Sequence, residues 1–148
     1  MQGRHGPFWD GIEGRTPLPP AAATLGIELI HADVEAGTIE LAFAAREEFT
    51  NPAGNVLGGF VAAMLYDTVG PALLATLDPD QFQSTLQLSV SFLRPVKPGR
   101  LTGKGRIVHH DGDLVFLQAE LRTPDDAVIA TATATARVIP LSHAPTAA

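Results

Sequence analysis

The residues with the clearest chemical potential lie between positions 54 and 71, where two adjacent glycines precede an apolar run that holds one acid. Gly58 and Gly59 allow a ligand to approach the backbone closely, because neither carries a Cβ atom. The first N–H groups of a helix that starts there point at any developing negative charge. Asp67, the carboxylate of the run, can then act as general base or nucleophile. Together these features predict transfer of an acyl group to water.

The composition argues against several other classes of function. The 148 residues carry a formal net charge of -6, whereas a nucleic-acid-binding surface requires clustered Lys and Arg. The chain has no cysteine, and therefore neither a disulfide framework nor a thiol nucleophile. It also has no apolar run of about 18 residues that could span a membrane. We therefore expect a cytoplasmic, single-domain protein that binds neither nucleic acid nor membrane.

Proline and turn residues divide the chain into three parts. Residues 1–24 are rich in Pro and Gly and are predicted to form an N-terminal arm with one short helix at 18–25. Residues 25–140 form the domain, and residues 141–148 form a C-terminal tail. We expect the arm to pack on the domain rather than to act as a functional lid.

Hydrophobic periodicity predicts two strands, then a helix, then four strands. Alternation of apolar and polar residues in 26–45 predicts a hairpin with one buried face. The following helix is apolar on all sides, so other structure must enclose it. Pro71 predicts a kink or an end of that helix, because it has no N–H to donate to the Asp67 carbonyl.

The four later strands are expected at 85–92, 101–109, 114–122 and 128–139. Along the first of them, Leu86 and every second residue after it are apolar, while Thr85 and every second residue after it are polar. The connections between the last three strands are short, which predicts an antiparallel meander. The predicted class is α+β, with an antiparallel sheet wrapped around one long helix.

Three stretches make the sequence resemble the hotdog-fold acyl-CoA thioesterases, in the phenylacetate-degradation (PaaI-like) branch. They are NPAGNVLGGF at 51–60, TLQLSVSFLRPVKPG at 85–99 and the closing Ala-Thr-rich strand. The resemblance extends from about residue 25 to residue 139. It implies a six-stranded antiparallel sheet around a central helix and an acyl-CoA substrate. It also implies a homodimer or homotetramer with sites at the subunit interface.

The chain departs twice from the family motif, which is His-Gly-Gly followed after six residues by Asp or Glu. Leu57 stands in place of the His, and seven residues separate Gly59 from Asp67. In a direct alignment the catalytic position falls on Tyr66, and Asp67 points elsewhere because one residue turns a helix by about 100°. If the loop is one residue longer, Asp67 regains the family offset. Both alignments stay open, with Asp67 favoured because a lone acid in an apolar helix requires a reason.

The resemblance implies supporting roles for further residues. Asn51 matches a position that in relatives places the substrate or the water, and Thr85 matches one that holds the nucleophilic water from the partner subunit. The hydroxyl of Tyr66 can orient water or the substrate carbonyl. A basic cluster around the turn at 95–99 can meet the phosphates of coenzyme A, and it comprises Arg94, Lys97, Arg100 and Lys104. Each assignment has an alternative. Asn51 is then only a loop residue, Thr85 is an ordinary strand hydroxyl, and the basic side chains are simply solvated.

The sequence implies no metal or redox cofactor. His109 ends a predicted strand and His110 begins the following turn. Adjacent side chains on a strand point to opposite faces, so a turn with solvent-facing His is favoured over a pair of metal ligands. The resulting hypothesis is an acyl-CoA thioesterase that hydrolyses an acyl or aryl-acyl thioester to the free acid and coenzyme A. The alternative is a non-catalytic acyl-CoA-binding or structural hotdog protein, which the missing motif His and the shifted Asp favour.

Overall fold

Six antiparallel strands and one long helix make up the body of the structure, a computed structural model that describes residues 3–147. In chain order the elements are α1 (Pro7–Ile12), α2 (Pro20–Thr24), β1 (Glu28–Asp33), β2 (Thr38–Ala45), α3 (Gly58–Leu74), β3 (Gln81–Phe92), β4 (Gly99–Asp111), β5 (Leu114–Arg122) and β6 (Val128–Pro140). Two short 3-10 helices occupy Glu47–Phe49 and Leu141–Thr146. Within residues 3–147 no helix is long and apolar enough to cross a membrane.

The strands form a single sheet in the order β1-β2-β4-β5-β6-β3. The predicted meander is confirmed, because β4, β5 and β6 are neighbours in sequence and in the sheet. After α3 the chain crosses to the far side and adds β3 beside β6, so β1 and β3 are the two edges. Helix α3 packs against β2, β3, β4, β5 and β6. The predicted α+β class, a six-stranded sheet around a central helix, is confirmed.

Two glycines in β4 let α3 approach the sheet closely. Thr68 is fully buried on the helix, and its Oγ1 donates to the Met64 carbonyl at 2.8 Å. A Cβ atom on Gly103 would overlap Thr68 Oγ1, and one on Gly105 would lie 3.1 Å from Thr68 Cγ2. The sequence analysis missed this role. Gly103 and Gly105 fix the height of α3 above the sheet and thereby the position of every side chain on the helix.

Helix α3 continues past Pro71 to Leu74, so the predicted helix end at the proline is wrong. The residues from Val69 to Leu73 are all buried. Burial against the sheet outweighs the one helical hydrogen bond that the proline removes, and the local signal is therefore overridden.

Strand β3 contains a bulge that the alternating pattern did not reveal. Thr85 lies opposite Ala136 and Gln87 lies opposite Thr135, so Leu86 is the extra residue. The pattern placed Thr85 on the opposite face from Leu88, but the bulge brings both to the same face. Thr85 is 8% exposed on this helix-facing side, whereas Leu86 is 50% exposed.

The N-terminal arm packs on the domain as predicted. The indole of Trp9 is 1% exposed, and its Nε1 donates to the Ala75 carbonyl at 3.0 Å. The short helix expected at 18–25 is present as α2, and α1 is an additional helix that begins at Pro7. Proline is favoured at the first position of a helix, but the contact that anchors α1 lies more than 60 residues away in sequence.

Candidate active site

The start of α3 presents two backbone N–H groups that the helix cannot use. Leu57 is the N-cap residue and provides no side-chain cap. The first amides that bond within this turn are those of Phe60 and Val61, which donate to the Leu57 carbonyl at 2.9 and 3.2 Å. The amides of Gly58 and Gly59 precede them and have no helical acceptor. They can therefore donate to a ligand.

A cavity of about 300 Å³, which we call the amide cavity, lies beside the start of α3. Three of the predicted site residues meet here: Asn51, Gly58 and Arg94. The remaining lining residues are Asn55, Val56, Val61, Phe92, Leu93, Pro95 and Val96. Asn51 Oδ1 accepts from the amides of Ala53 and Asn55 at 3.0 and 3.1 Å, so it shapes the loop. Its Nδ2 has no hydrogen-bond acceptor among residues 3–147 and can serve a ligand.

A second cavity of about 320 Å³, which we call the acid cavity, contains Asp67. The N-terminal arm, α3 and the start of β3 form its walls, with Ala147 contributing from the C-terminal tail. Apart from Asp67, Tyr66 and Gln83, its lining residues are apolar or glycine: Pro7, Phe8, Gly11, Ile12, Leu18, Pro19, Ala22, Ile27, Gly70, Pro71, Leu74, Phe82 and Ala147.

The environment of Asp67 is unfavourable for a charge. No Lys, Arg or His lines the acid cavity, and no hydrogen bond or ion pair to the Asp67 carboxylate occurs within the described residues. Burial raises the pKa of Asp67 from 3.8 to about 6. A carboxylate with a pKa near neutrality is suited to accept a proton from water. Tyr66 lies at the rim of the same cavity and is 36% exposed.

Gln83 is a polar residue of this site that the sequence analysis missed. It is buried, at 5% exposed, and it lines the acid cavity together with Asp67. Thr85 lies two positions later on the same face of β3 and donates to Gln83 Oε1 at 3.1 Å. A polar residue just before the predicted strand was the only signal in the sequence.

The two groups that the mechanism needs are far apart within one chain. Asp67 comes nine positions after Gly58 on the same helix, which corresponds to about 13 Å at the standard rise per residue. The two residues also line different cavities. One thioester carbonyl therefore cannot contact the Gly58 amide and the Asp67 carboxylate of the same chain.

The structure separates the four basic residues that the sequence analysis grouped. Arg94 lines the amide cavity, and Lys97 Nζ donates to the Ala53 carbonyl at 3.4 Å on the neighbouring loop. Arg100 pairs with Glu28 at 2.9 Å near the β1 edge. Lys104 lines a different surface cavity that includes Glu40, across from it on β2. Arg94 and Lys97 are thus the two that remain close to the start of α3.

Comparison with known proteins agrees with this architecture. The family described as "Acyl-CoA thioesterase N-terminal domain" matches residues 46–137, more than half of the chain. The chain is 38% identical to a phenylacetic acid degradation-related protein from Ralstonia eutropha JMP134. That structure superposes with a TM-score of 0.84, over 88% of this chain and 98% of that chain.

Two more distant structures share the fold. A thioesterase from Haemophilus influenzae is 22% identical, with a TM-score of 0.77 over 88% of each chain. The PaaI protein from the phenylacetic acid degradation operon of E. coli is 17% identical, with a TM-score of 0.78 over 90% of this chain and 94% of that chain. The chain therefore belongs to the acyl-CoA thioesterase family with the hotdog fold, and it is a thioester hydrolase.

Proposed function

We propose that the protein hydrolyses an acyl-CoA or aryl-acyl-CoA thioester to the free acid and coenzyme A. The observation that carries the proposal is Asp67, an acid with no charged partner among residues 3–147, in a mostly apolar cavity and with a pKa raised to about 6. A group of this kind is ionised near neutral pH and still basic enough to take a proton from water. In the direct alignment of the family motif, Tyr66 takes the catalytic position, and its side chain offers only a phenol in place of a carboxylate.

The proposed reaction has two steps. Asp67 takes a proton from a water molecule while the oxygen of that water attacks the thioester carbon, and the carbonyl oxygen becomes an oxyanion. The amides of Gly58 and Gly59 donate to this oxyanion, which lowers the barrier by about 3 kcal/mol for each well-placed donor. The intermediate then expels the coenzyme A thiolate and releases the acid. In a variant of this route Asp67 itself attacks the carbon and water hydrolyses the resulting anhydride.

We propose that two copies of the chain build each site. The separation of about 13 Å between Gly58 and Asp67 on one helix supports this arrangement, with the amides from one protomer and the acid from its partner. Exposed apolar side chains occur on β3, the edge strand, and on α3 or directly beside these elements: Leu86 and Phe92 on β3, Leu93 after it, Tyr66 on α3 and Leu57 before it. An edge strand that exposes apolar side chains favours pairing with a second copy of the chain. A homodimer is the smallest assembly that can form such a shared site, and a homotetramer would contain two such dimers.

For coenzyme A we propose contacts from Arg94 and Lys97. Arg94 lines the amide cavity, and Lys97 extends over the loop at Ala53. Both are exposed cations near the place where the thioester carbonyl would bind. Arg100, which pairs with Glu28, and Lys104, beside Glu40 in a different cavity, are weaker candidates for the same phosphates.

The test is hydrolysis of a panel of thioesters from acetyl-CoA to decanoyl-CoA, with phenylacetyl-CoA as the aryl member. Release of coenzyme A can be followed with a thiol reagent, because the protein has no cysteine to react. We expect turnover by the wild type and a loss of about 10²-fold or more in Asp67→Asn, whereas Tyr66→Phe should lose less. If Asp67→Asn keeps most of the turnover and Tyr66→Phe abolishes it, the acid has been assigned wrongly. Binding of the panel without turnover by the wild type would favour the non-catalytic alternative.

Sharing of the site can be tested by mixing two inactive variants. A dimer made only of Asp67→Asn chains, or only of Gly58→Pro chains, has no intact site. In a mixed dimer, one site carries both changes and the other site carries neither. After subunit exchange, activity should return to about a quarter of the wild-type value for random pairing in a two-fold symmetric dimer. Light scattering at micromolar concentration should show a dimer or tetramer, and an active monomer would contradict the shared site.

A further inference from the structure

The acid cavity has an inner wall that is supplied by the N-terminal arm rather than by the hotdog domain. Seven of its lining residues come from residues 7–22: Pro7, Phe8, Gly11, Ile12, Leu18, Pro19 and Ala22. These face α3 and the start of β3 across the cavity. At about 320 Å³ the cavity lies at the small end of the range for ligand-binding pockets.

The arm is held in a fixed position, so the cavity is preformed. Trp9 is 1% exposed and its indole N–H donates to the Ala75 carbonyl just after α3. Arg15, in the segment that follows α1, pairs with Asp10 and with Glu13, each at 2.9 Å. Directly after α2, the Leu25 carbonyl accepts from the Ala44 amide of β2 at 2.9 Å. The residues on either side of the lining positions are therefore anchored, and the wall does not have to be ordered when a ligand binds.

The chemistry of the lining identifies the part of the substrate that fits. The proposed function places the thioester carbon within reach of a water on Asp67, so the acyl group attached to that carbon must lie in the space around Asp67. None of the described residues that line this space is a cation, which makes it unsuitable for the phosphates of coenzyme A. Its apolar walls suit an aliphatic or aryl group, which is driven into them by the hydrophobic effect.

We propose that the acid cavity is the acyl-binding pocket and that the N-terminal arm sets the length of acyl group it accepts. This inference rests on the proposed function, because it takes the reacting carbon to lie at Asp67. The arm forms the wall that an extended acyl chain meets, and residues on α1 and α2 are then specificity determinants although none of them takes part in the chemistry.

Helix α2 offers a matched pair of variants that tests this proposal. Ala22 lines the cavity and is 6% exposed, whereas the adjacent Ala23 on the same helix is exposed and does not line it. In Ala22→Leu the three added carbon atoms take up cavity space. We expect the ratio of kcat/KM for decanoyl-CoA to that for acetyl-CoA to fall by about tenfold or more relative to the wild type, since single methylenes in such pockets discriminate by this amount. Ala23→Leu should leave this ratio and the activity unchanged.

Enlarging the cavity should have the opposite effect and guards against a folding defect in Ala22→Leu. Leu18→Ala and Ile12→Ala each remove apolar atoms from the arm wall, and the same ratio should rise by about threefold or more. The proposal fails if the three arm variants fold but change kcat/KM by the same factor for every substrate, or do not change it for any. The arm then does not set acyl length. That result would leave the proposed hydrolysis intact, whereas a wild type inactive on every thioester of the panel would overturn the proposed function and this inference with it.

Discussion

Thr85 donates a hydrogen bond from Oγ1 to Oε1 of Gln83 at 3.1 Å, and both side chains are buried on the helix-facing side of β3. The bond fixes the Gln83 amide so that its Nε2 faces α3, where it lies 3.3 Å from the position of a Cβ atom on Gly70. Gly70 is three positions after Asp67 and therefore on the same side of the helix. Thr85 thus positions the Gln83 side chain, which lines the acid cavity.

The first prediction concerns this pair. Gln83→Leu removes the only side-chain amide among the described residues that line the acid cavity, and it should lower kcat by about tenfold, which corresponds to about 1.4 kcal/mol. Thr85→Val should lower kcat somewhat less than Gln83→Leu does. Thr85→Ser should retain activity because it keeps the hydroxyl. The measurement is a double-mutant cycle in kcat with a far-ultraviolet spectrum of each variant as the folding control. Additive losses in the double variant would contradict a role of Thr85 through Gln83.

The pH dependence of activity should report the ionisation of Asp67. Burial raises its pKa to about 6, and only the ionised form can accept a proton from water. We expect kcat/KM to rise with pH up to about 6 and to level off above it. The measurement is a pH profile between 4.5 and 8 with one acyl-CoA substrate. A profile that stays flat across this range would show that another group is the base.

The same raised pKa has a consequence for stability. In the folded protein Asp67 keeps its proton up to a pH of about 6, whereas in the unfolded chain it loses the proton near 3.8. The folded state therefore loses stability as the pH rises between these two values, by up to about 3 kcal/mol. Above pH 6 Asp67→Asn removes the cost of the buried charge and should be more stable than the wild type.

Thermal unfolding of Asp67→Asn at pH 8 and at pH 4 measures this effect. The stabilisation relative to the wild type should be present at pH 8 and largely absent at pH 4, where Asp67 is protonated in the folded protein. Asp80→Asn is a suitable control because Asp80 is exposed. Equal stabilisation at both pH values would mean that shape or hydrogen bonding, and not the charge, is responsible.

The oxyanion amide can be removed by a proline at the first helical position. Leu57 has φ -60° and ψ 137°, a conformation that accommodates a following proline, and proline is favoured at the start of a helix. Gly58→Pro should therefore keep the helix while lowering kcat by about 10² to 10³-fold. The measurement is kcat on the best substrate of the panel, with circular dichroism as the control for the fold.

Gly58→Ala is the matched steric control for this change. It adds a Cβ atom 3.3 Å from Phe92 Cε1, but keeps the N–H, and the exposed Phe92 ring can move aside. We expect a much smaller loss than in Gly58→Pro. Equal losses in the two variants would point to crowding near Phe92 and would remove the Gly58 amide from the mechanism.

Local sequence patterns were sufficient to predict the strands of the sheet and the start of α3. Strands β4, β5 and β6 were predicted closely because each combines a period of two with turn residues at its ends, such as Gly112, whose φ of 62° suits a tight turn. The paired glycines marked the helix start because their effect is local. The resemblance to hotdog thioesterases supplied the arrangement of these elements in space.

The set of side chains that surrounds Asp67 depends on contacts that form only in the folded chain. The bulge at Leu86 shifts the phase of β3 and turns Gln83 and Thr85 towards the helix, and a pattern of period two carries no mark of such a shift. Pro71 remains helical because the sheet buries its surroundings. The arm lines the cavity that contains Asp67, and it is anchored there by the Trp9 indole, which donates to a carbonyl 66 positions away. These features depend on contacts between distant residues, which no local pattern encodes.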